Sequence, residues 1–531
     1  MRDVPLYRAR TGRHLRPLNA SNISVRANIL MKSFCLLACI VSLMMCLGGC
    51  ATTKYSTSPG PSGLSSIQHI VILVQENRSF DHYLGALRGY WAANGYPDQS
   101  FDGLPQFNPV SGAAPLRGPA PATAGCDPNF PPPGGCVFDP NVTISSFRLL
   151  TQCVEDPSPS WDEGHRDWDY DDPTGLQPAK MNGFVYAAGE DARNNIPPFH
   201  DLNGVRAMGY YDGSDLNYEY FMASNFATSD RWFNPVMSRS QPNHEYLIAA
   251  TSQGYVYPNG TDSQDQALLT AKTIFEELQD AGISWKIYVD PEGSNCTGPP
   301  YNAACLMKLS YVQAFTFGQK IVSQYPQNIA PVSQYFADLQ NGTLPQVAEI
   351  EPATDAGLDE HPTTAEQYPT NLQSGEEYVA TLINGLMQSS SWKNSAFFLT
   401  YDEGGGFYDH VPPQPAVSPD GIKPVDLLPN DICTAVTGTG PLCDFTWTGF
   451  RVPLVVISPY AKKNYVSHTV ADYTAILKFI ETRFNLPPLT KRDAAQMDMT
   501  EFFDFNARPW MTPPTPPEQN TSGPCYTDHL P

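Results

Sequence analysis

Short apolar runs alternate along the chain with segments of helical periodicity. The apolar runs predict strands at His69–Gln75, Ile283–Val289, Gln346–Glu351, Ala396–Tyr401 and Val452–Ser458. Apolar residues recurring every three to four positions predict helices at Asp265–Ala281, Gly375–Ser389 and Ala471–Phe484. Strands that alternate with helices indicate an α/β fold, with a largely parallel central sheet flanked by helices.

Two long segments interrupt this pattern. Residues 101–160 and 412–447 are rich in residues that favour loops, and we expect both to be insertions that shape a substrate entrance. The end of the chain, 509–531, is rich in proline and predicts an irregular tail. One catalytic domain is therefore expected over residues 67–508.

The amino terminus predicts export. Met31–Cys50 has a basic start, a short apolar run and small residues before a cysteine, which is typical of a secretory signal. Its ending, Leu-Gly-Gly-Cys, resembles a bacterial lipobox, so Cys50 is a candidate for lipidation and membrane contact. Alternatives are secretion without lipid and a buried or membrane helix. We interpret 1–50 as the signal region, 1–30 as a mis-called start or an unusual extension, and 51–66 as a linker, in a cell-envelope or secreted protein.

Charge argues against a nucleic-acid partner. The net charge is −22, and the first 50 residues carry seven cations and one aspartate, so the remainder carries −28. Phosphate backbones are bound mainly by lysine and arginine, and in this protein the acidic residues outnumber the basic ones. The acidity fits a soluble exported protein, and acidic residues can also cluster around a cation.

The cysteine count fits an oxidising compartment. Eight cysteines follow Cys50, an even number that favours disulfides. Six of them form three pairs that are close in sequence, and two are left over; the pairs that this spacing favours, without proving them, are Cys126–Cys136, Cys296–Cys305, Cys433–Cys443 and Cys153–Cys525.

Polar side chains follow three of the predicted strands. Glu76 and Asn77 follow the first strand, Asp402 and Glu403 follow Ala396–Tyr401, and His361 comes after the strand at 346–351. The carboxyl ends of parallel strands lie at one edge of a sheet, where ligands bind. Three carboxylates and an amide oxygen suit a divalent cation such as Mg²⁺, Ca²⁺ or Mn²⁺, and they do not exclude Zn²⁺. The alternative is that these acidic residues cap helices.

Six sequence blocks resemble one family when taken together. They resemble, in order, the motifs of the bacterial phosphoesterase family that contains phospholipases C and acid phosphatases, and they extend over about residues 66–505. The blocks are VILVQENRSFDHYLG (71–85), MGYYDGSDLNYEYFMASNFATSDRWF (208–233), SQPNHEYLIAATS (240–252), TYDEGGGFYDHVPP (400–413), VPLVVISPYAK (452–462) and HTVADYTAILKFIETRFNL (468–486).

The resemblance implies an alkaline-phosphatase-like fold and a role for each site residue. It implies one divalent metal ion bound by Glu76, Asn77, Asp402 and Glu403. It places Ser240 as the nucleophile, and it places two histidines near the phosphate; these are His165 and His361. A serine hydroxyl is a weak nucleophile that a nearby cation activates. His82 and His410 are weaker candidates that would brace loops.

One departure from the family pattern concerns the residue after Pro-Asn, which is usually arginine and is His244 here. The predicted function is metal-dependent hydrolysis of phosphate esters, with a phosphodiester of a phospholipid as the expected substrate. The alternatives are an acid-phosphatase-type phosphomonoesterase and a non-catalytic surface-binding protein of the same fold. A sulfatase is disfavoured, because no cysteine begins the Cys-x-Pro/Ala-x-Arg pattern that those enzymes modify.

Overall fold

The computed structural model describes residues 63–175, 178–194, 199–258, 268–363, 371–434 and 443–530. The strands within these ranges are β1 (His69–Gln75), β2 (Ala122–Cys126), β3 (Phe138–Ser145), β4 (Phe147–Arg148), β5 (Gly209–Tyr210), β6 (Ala227–Ser229), β7 (Trp232–Phe233), β8 (Trp285–Val289), β9 (Ile329–Pro331), β10 (Val347–Ile350), β11 (Ser395–Tyr401), β12 (Leu454–Ile457), β13 (Tyr465–Ser467) and β14 (Ala471–Asp472). The α-helices are Phe80–Tyr83, Leu87–Asn94, Trp161–Trp168, Phe184–Asn194, Asn217–Asn225, Ser240–Ala249, Ile274–Ala281, Ala303–Leu306, Thr316–Gln324, Val332–Asn341, Leu372–Gln388, Thr474–Phe484 and Lys491–Ala494.

Eight strands form the central sheet, in the order β13-β6-β12-β11-β1-β10-β8-β9. Only β12 runs antiparallel to its neighbours, β11 and β6. β1 lies in the middle, parallel to both β10 and β11. The predicted α/β class with a largely parallel sheet is therefore confirmed.

Helices cover both faces of this sheet, which explains why its central strands are apolar throughout. Every residue of β11 is buried. The ring of Phe398 packs against Phe479 of the helix Thr474–Phe484, with 5.1 Å between ring centroids. Tyr401 points to the opposite face, where its hydroxyl contacts Glu219 of another helix. Because side chains alternate along a strand, a strand covered on both faces needs a continuous apolar run.

The five predicted strands all form, whereas two predicted helices begin later than expected. The helix expected from Ala471 starts at Thr474, because Ala471–Asp472 pair with β7 as the short strand β14. The helix expected from Asp265 starts at Ile274, because the Thr273 side chain caps it by accepting a hydrogen bond from the Glu276 amide. Before this cap, Leu269 pairs in extended form with Phe315. Helical periodicity in the sequence did not reveal that pairing. Residues 265–267 lie outside the described ranges.

Four disulfides confirm the predicted cysteine pairing: Cys126–Cys136, Cys153–Cys525, Cys296–Cys305 and Cys433–Cys443. The proline-rich tail has no helix or strand among residues 509–530, in agreement with the prediction. Its disulfide from Cys525 fastens it to the segment that precedes the helix Trp161–Trp168.

The signal region, with Cys50, lies outside the described residues, as does most of the predicted linker. The last residues of that linker, Leu64–Ser66, form a 3₁₀ turn in which Leu64 is buried, so the folded domain begins there. No helix within the described ranges combines the length and the apolar character needed to cross a membrane.

Candidate active site

Four buried acidic and amide side chains meet where β1 and β11 end. Glu76 and Asn77 follow β1, and Asp402 and Glu403 follow β11. The backbone N–H of Asn77 donates to Asp402 Oδ1 at 2.8 Å, which joins the two loops directly. Parallel pairing of adjacent strands brings these loops to the same edge, so the predicted metal set does come together.

The glycine run after Glu403 allows this close approach. Gly405 has φ 65°, and a Cβ placed there would lie 2.2 Å from the carbonyl oxygen of Asn77. Its amide N–H donates to Glu403 Oε2. Asn77 itself has φ 63°, a left-handed conformation that asparagine tolerates better than most residues. A side chain at position 405 would therefore separate the two loops.

Ser240 lies beside these loops at the first position of the helix Ser240–Ala249. Its hydroxyl donates to Asn77 Oδ1 at 3.1 Å, and the side chain is half-buried. The amino terminus of a helix carries unpaired N–H groups and a partial positive charge, which stabilises an anion there. Ser240 therefore occupies a position that favours a developing alkoxide.

His361 contacts the nitrogen of the Asn77 side-chain amide, whereas Ser240 contacts its oxygen. Asn77 Nδ2 donates to His361 Nε2 at 2.7 Å, and His361 Nδ1 donates to the carbonyl of Pro362 at 2.7 Å. Burial lowers the pKa of His361, but the carboxylates of Asp156, Asp359 and Glu76 outweigh it, so that its pKa lies above the usual value.

His165 is buried in a neighbouring helix, Trp161–Trp168. Its Nδ1 lies 2.7 Å from the carbonyl oxygen of Trp161, whose ring also packs against the imidazole. Ser160, which precedes this helix, accepts a hydrogen bond from Arg239, the residue before Ser240. The structure thus brings the helix of His165 next to the serine, and a direct role for its imidazole stays a prediction.

The remaining two histidine candidates brace loops, as expected. His82 is buried, and its Nδ1 donates to the carbonyl oxygen of Gly209 at 2.7 Å. Its ring stacks on Phe407. His410 forms ion pairs with Asp81 and Asp102.

The electrostatics of the buried carboxylates favour a bound cation. Burial raises the pKa of Asp402 well above its usual value, and the Glu76 carboxylate raises it further, while His244 lowers it. Burial and then Asp402 likewise raise the pKa of Glu403 well above its usual range. Asp402 Oδ2 and Glu403 Oε1 are buried without a hydrogen-bond partner. Unpaired buried carboxylates are costly, and a divalent cation would satisfy both atoms.

His244 offers a further protein ligand beside the four that were predicted. Glu76, His244 and Asp402 each offer a ligand atom, and these atoms lie within 4.8 Å of one another. The donor set of carboxylates, one amide and one imidazole fits a divalent metal ion bound through oxygen and nitrogen.

The model of the phosphoesterase family matches residues 67–487 of this sequence. The chain belongs to the phosphoesterase family. The match extends from the start of β1 to just past the helix Thr474–Phe484, so it contains both loops and the serine helix. As a member of this family, the protein is a hydrolase of ester bonds.

Relatives of this phosphoesterase carry phospholipase names. It is 32% identical to phospholipase C B of Mycobacterium tuberculosis, over 91% of this chain and 85% of that protein. It is 30% identical to non-specific phospholipase C4 of Arabidopsis thaliana, over 82% of this chain and 72% of that one. A solved protein of the alkaline phosphatase superfamily from Vibrio parahaemolyticus is 11% identical, covering 54% of this chain and 66% of its own, with a TM-score of 0.30.

Two residues at the site of this phosphoesterase were not predicted from the sequence. The Nε2 atom of His244 lies 3.1 Å from Glu76 Oε1, and the Tyr311 hydroxyl donates to the same oxygen at 3.0 Å. Their rings stack, with 3.7 Å between centroids. His244 was recognisable in principle, because it is four residues after Ser240 and therefore on the same helix face. Tyr311 lies in a 3₁₀ turn that carries no motif.

Proposed function

We propose that this phosphoesterase hydrolyses phosphodiesters of the phospholipase C type, with Ser240 as nucleophile and one divalent metal ion as cofactor. The observation that carries the proposal is the Ser240 hydroxyl bonded to Asn77, at the point where the two acidic loops meet. A nucleophile, a helix amino terminus and unsatisfied carboxylates converge there, which suits attack on a phosphoryl group.

The metal ligands would be Glu76, Asn77, Asp402 and Glu403, with His244 available as a further one. When bound, the cation would act as a Lewis acid that lowers the pKa of the serine hydroxyl and balances charge on the phosphoryl oxygens. His244 stays predominantly neutral, as a metal ligand must, because burial lowers its pKa.

The protein's own groups would divide the chemistry as follows. Ser240 Oγ attacks phosphorus and gives its proton to His361, whose unprotonated Nε2 lies beside the same Asn77 side chain, while Asn77 orients the serine hydroxyl by accepting its hydrogen bond. His361 then passes this proton to the oxygen of the leaving alcohol. Water then releases the phosphorylated head group from the serine. His165 would hydrogen-bond the phosphoryl group from the adjacent helix.

The proposed substrate class is supported by the relatives, several of which are named phospholipase C. A phospholipid would be cleaved between the diacylglycerol and the phosphate. The four disulfides fit an exported protein. Lipidation of Cys50 would hold such an enzyme at the cell envelope, whereas its absence would leave the enzyme secreted.

The test compares Ser240→Ala and Ser240→Thr on p-nitrophenylphosphorylcholine and p-nitrophenyl phosphate, each with and without EDTA. We expect Ser240→Ala to lose activity by about 10³-fold or more, and Ser240→Thr to keep a measurable part of it. EDTA should abolish wild-type activity, and a divalent cation should restore it.

A matched control is Ser323→Ala, at an exposed serine of the helix Thr316–Gln324, which should behave as wild type. Full activity of Ser240→Ala would remove the serine from its role. Faster cleavage of p-nitrophenyl phosphate would favour the phosphomonoesterase. Cleavage of neither substrate with any metal would favour a non-catalytic binding protein.

A further inference from the structure

A cleft of about 750 Å³ lies outside the carboxylate site, between the 412–434 segment and the start of the segment after residue 267. We call it the apolar cleft, and its apolar walls are Tyr255, Leu268, Leu269, Ile422, Val425 and Leu428. Its volume is within the range of ligand-binding pockets in proteins.

The polar residues of the apolar cleft use their hydrogen bonds inside the protein. Gln253 Oε1 accepts from the amides of Thr270 and Ala271 at 2.7 and 2.9 Å. The two carboxylate oxygens of Asp426 accept from the amides of Val256 and Tyr257, each at 3.0 Å. The surface that these residues leave to a ligand is therefore mainly hydrocarbon.

Apolar side chains are also unusually exposed on the rim. Val425 is 57% exposed and Leu268, on the opposite wall, is 41% exposed. Ile422 and Leu428 are exposed as well. Exposed apolar side chains that cluster around one opening mark a surface that contacts an apolar partner, whereas single ones are ordinary.

The apolar cleft adjoins the segment that carries the proposed nucleophile. Ser238, two residues before Ser240, donates its hydroxyl to the carbonyl of Val256, which is next to the cleft residue Tyr255. The far end of the 412–434 segment is held by Trp161, whose indole N–H donates to the Ile432 carbonyl at 3.0 Å. One anchor lies in the segment that leads into Ser240, and the other lies in the helix whose preceding residue, Ser160, contacts Arg239.

The charge of this region selects the kind of partner. Between residues 412 and 434 the chain has three aspartates and one lysine, within a protein of net charge −22. Binding to an anionic membrane requires clustered basic residues, and the rim does not provide them. A lipid surface without net charge is the partner that agrees with both the apolar walls and the acidic surroundings.

We propose that the apolar cleft and its rim insert into the hydrocarbon of a zwitterionic phospholipid surface, and so place the lipid phosphodiester next to Ser240. The inference rests on the proposed function, since it names the physical form of that substrate: lipid within an aggregate rather than a dissolved molecule. Insertion buries the exposed rim side chains, which supplies the free energy for attachment.

The test uses Val425→Asp and Leu268→Asp, one on each wall. Binding is measured by sedimentation with sucrose-loaded phosphatidylcholine vesicles in EDTA, and turnover is measured on the same vesicles with metal. We expect each variant to bind vesicles about tenfold more weakly and to lose turnover in proportion, since each puts a charge where an apolar side chain would enter the lipid. Hydrolysis of soluble p-nitrophenylphosphorylcholine should be unchanged, which also shows that the variants fold.

The matched control is Val110→Asp, because Val110 is a more exposed valine, at 75%, outside the cleft walls. It should bind and turn over vesicles as wild type does. Three results would overturn the inference: unchanged vesicle binding by both cleft variants, binding of the wild type only to vesicles that contain phosphatidylglycerol, or a dimer in wild type that both variants dissociate without a change in vesicle binding. If the wild type does not hydrolyse soluble p-nitrophenylphosphorylcholine, the proposed function is refuted instead. Vesicle binding would still decide the role of the cleft.

Discussion

The segments that follow β1 and β11 contribute acidic residues to two clusters. The two clusters differ in whether the protein itself supplies the neutralising positive charge. The carboxylate cluster consists of Glu76, Asp402 and Glu403. The ion-pair cluster contains Asp81 and Asp409, each a few residues after a member of the carboxylate cluster, together with Asp102, His410 and Arg451. Since each cluster takes acids from the segments that follow both β1 and β11, the two can be compared directly.

The ion-pair cluster supplies its own cations. Arg451, which is fully buried, contacts Asp409 at 3.0 Å and Asp81 at 3.2 Å. His410 contacts Asp81 at 2.6 Å and Asp102 at 3.1 Å. The grouping of Asp81, Asp409 and His410 could hold a metal ion by geometry alone, but the guanidinium already provides the positive charge.

The carboxylate cluster has no such partner. Among the ion pairs of the described residues, none joins an arginine or lysine to Glu76, Asp402 or Glu403. Histidines are the cationisable groups nearby: His244 contacts Glu76, and His361 interacts electrostatically with it. The difference indicates that the acids of the ion-pair cluster stabilise the fold, whereas those of the carboxylate cluster are available to bind a cation. It also gives opposite expectations for stability and activity in the two clusters.

The largest effect should come from Asp402→Asn. We expect activity on p-nitrophenylphosphorylcholine to fall by about 10³-fold or more, because a metal ligand is weakened. The melting temperature in EDTA should stay the same or rise, because a buried unpaired charge is removed. The matched change, Asp409→Asn in the ion-pair cluster, should lower the melting temperature and spare activity per folded molecule. Equal losses of activity from both changes would contradict the distinction.

Arg451→Met should have the largest effect on stability. Removing one partner of a buried ion pair leaves Asp81 and Asp409 uncompensated, which costs about 3–5 kcal/mol in the free energy of unfolding. Urea denaturation measures this value. Arg451→Lys keeps the charge without the planar fork and should give an intermediate loss. A free energy of unfolding unchanged by Arg451→Met would show that this cluster does not hold the loops.

A smaller, pH-dependent effect is expected from His410. Burial lowers its pKa, but Asp81 and Asp102 outweigh burial and Arg451, and raise its pKa to about 9. The protonated form is therefore favoured by folding, so its contribution is complete below the ordinary pKa of about 6.5 and is lost as pH rises through about 9. Urea denaturation between pH 6 and pH 10 should show the wild type losing ~1–2 kcal/mol more than His410→Gln. Parallel pH profiles would contradict this role.

The sequence was sufficient for the sheet and for the meeting of its two acidic loops. Continuous apolar runs fix β1 and β11 as buried parallel strands, and anything that directly follows them must lie at one edge. Glu76, Asn77, Asp402 and Glu403 were accessible for that reason. Ser240 was accessible only through the family resemblance, because nothing in its local sequence distinguishes it from a serine in a turn.

The contacts missed by the sequence analysis join segments far apart in the chain without a repeating pattern. Tyr311 reaches Glu76 from a 3₁₀ turn 235 positions away. Arg451 joins residues of both acidic loops, and its partners depend on how the chain enters β12. Such contacts are set by tertiary packing, which residue periodicity does not describe. The same holds for the delayed helix start at Ile274, where a pairing with a distant segment overrode local periodicity.

The disulfide between Cys153 and Cys525 closes 372 positions of sequence into one covalent ring. A protease that cuts a surface loop anywhere inside this ring opens it without releasing a fragment. The serine helix and the loop after β11 lie within the ring, so they would stay tethered to each other after such a cut. The loop after β1 precedes Cys153 and is attached to the ring by the chain that follows it. In an exported protein, this bond would keep a once-cut chain in one covalent piece as well as stabilise the fold.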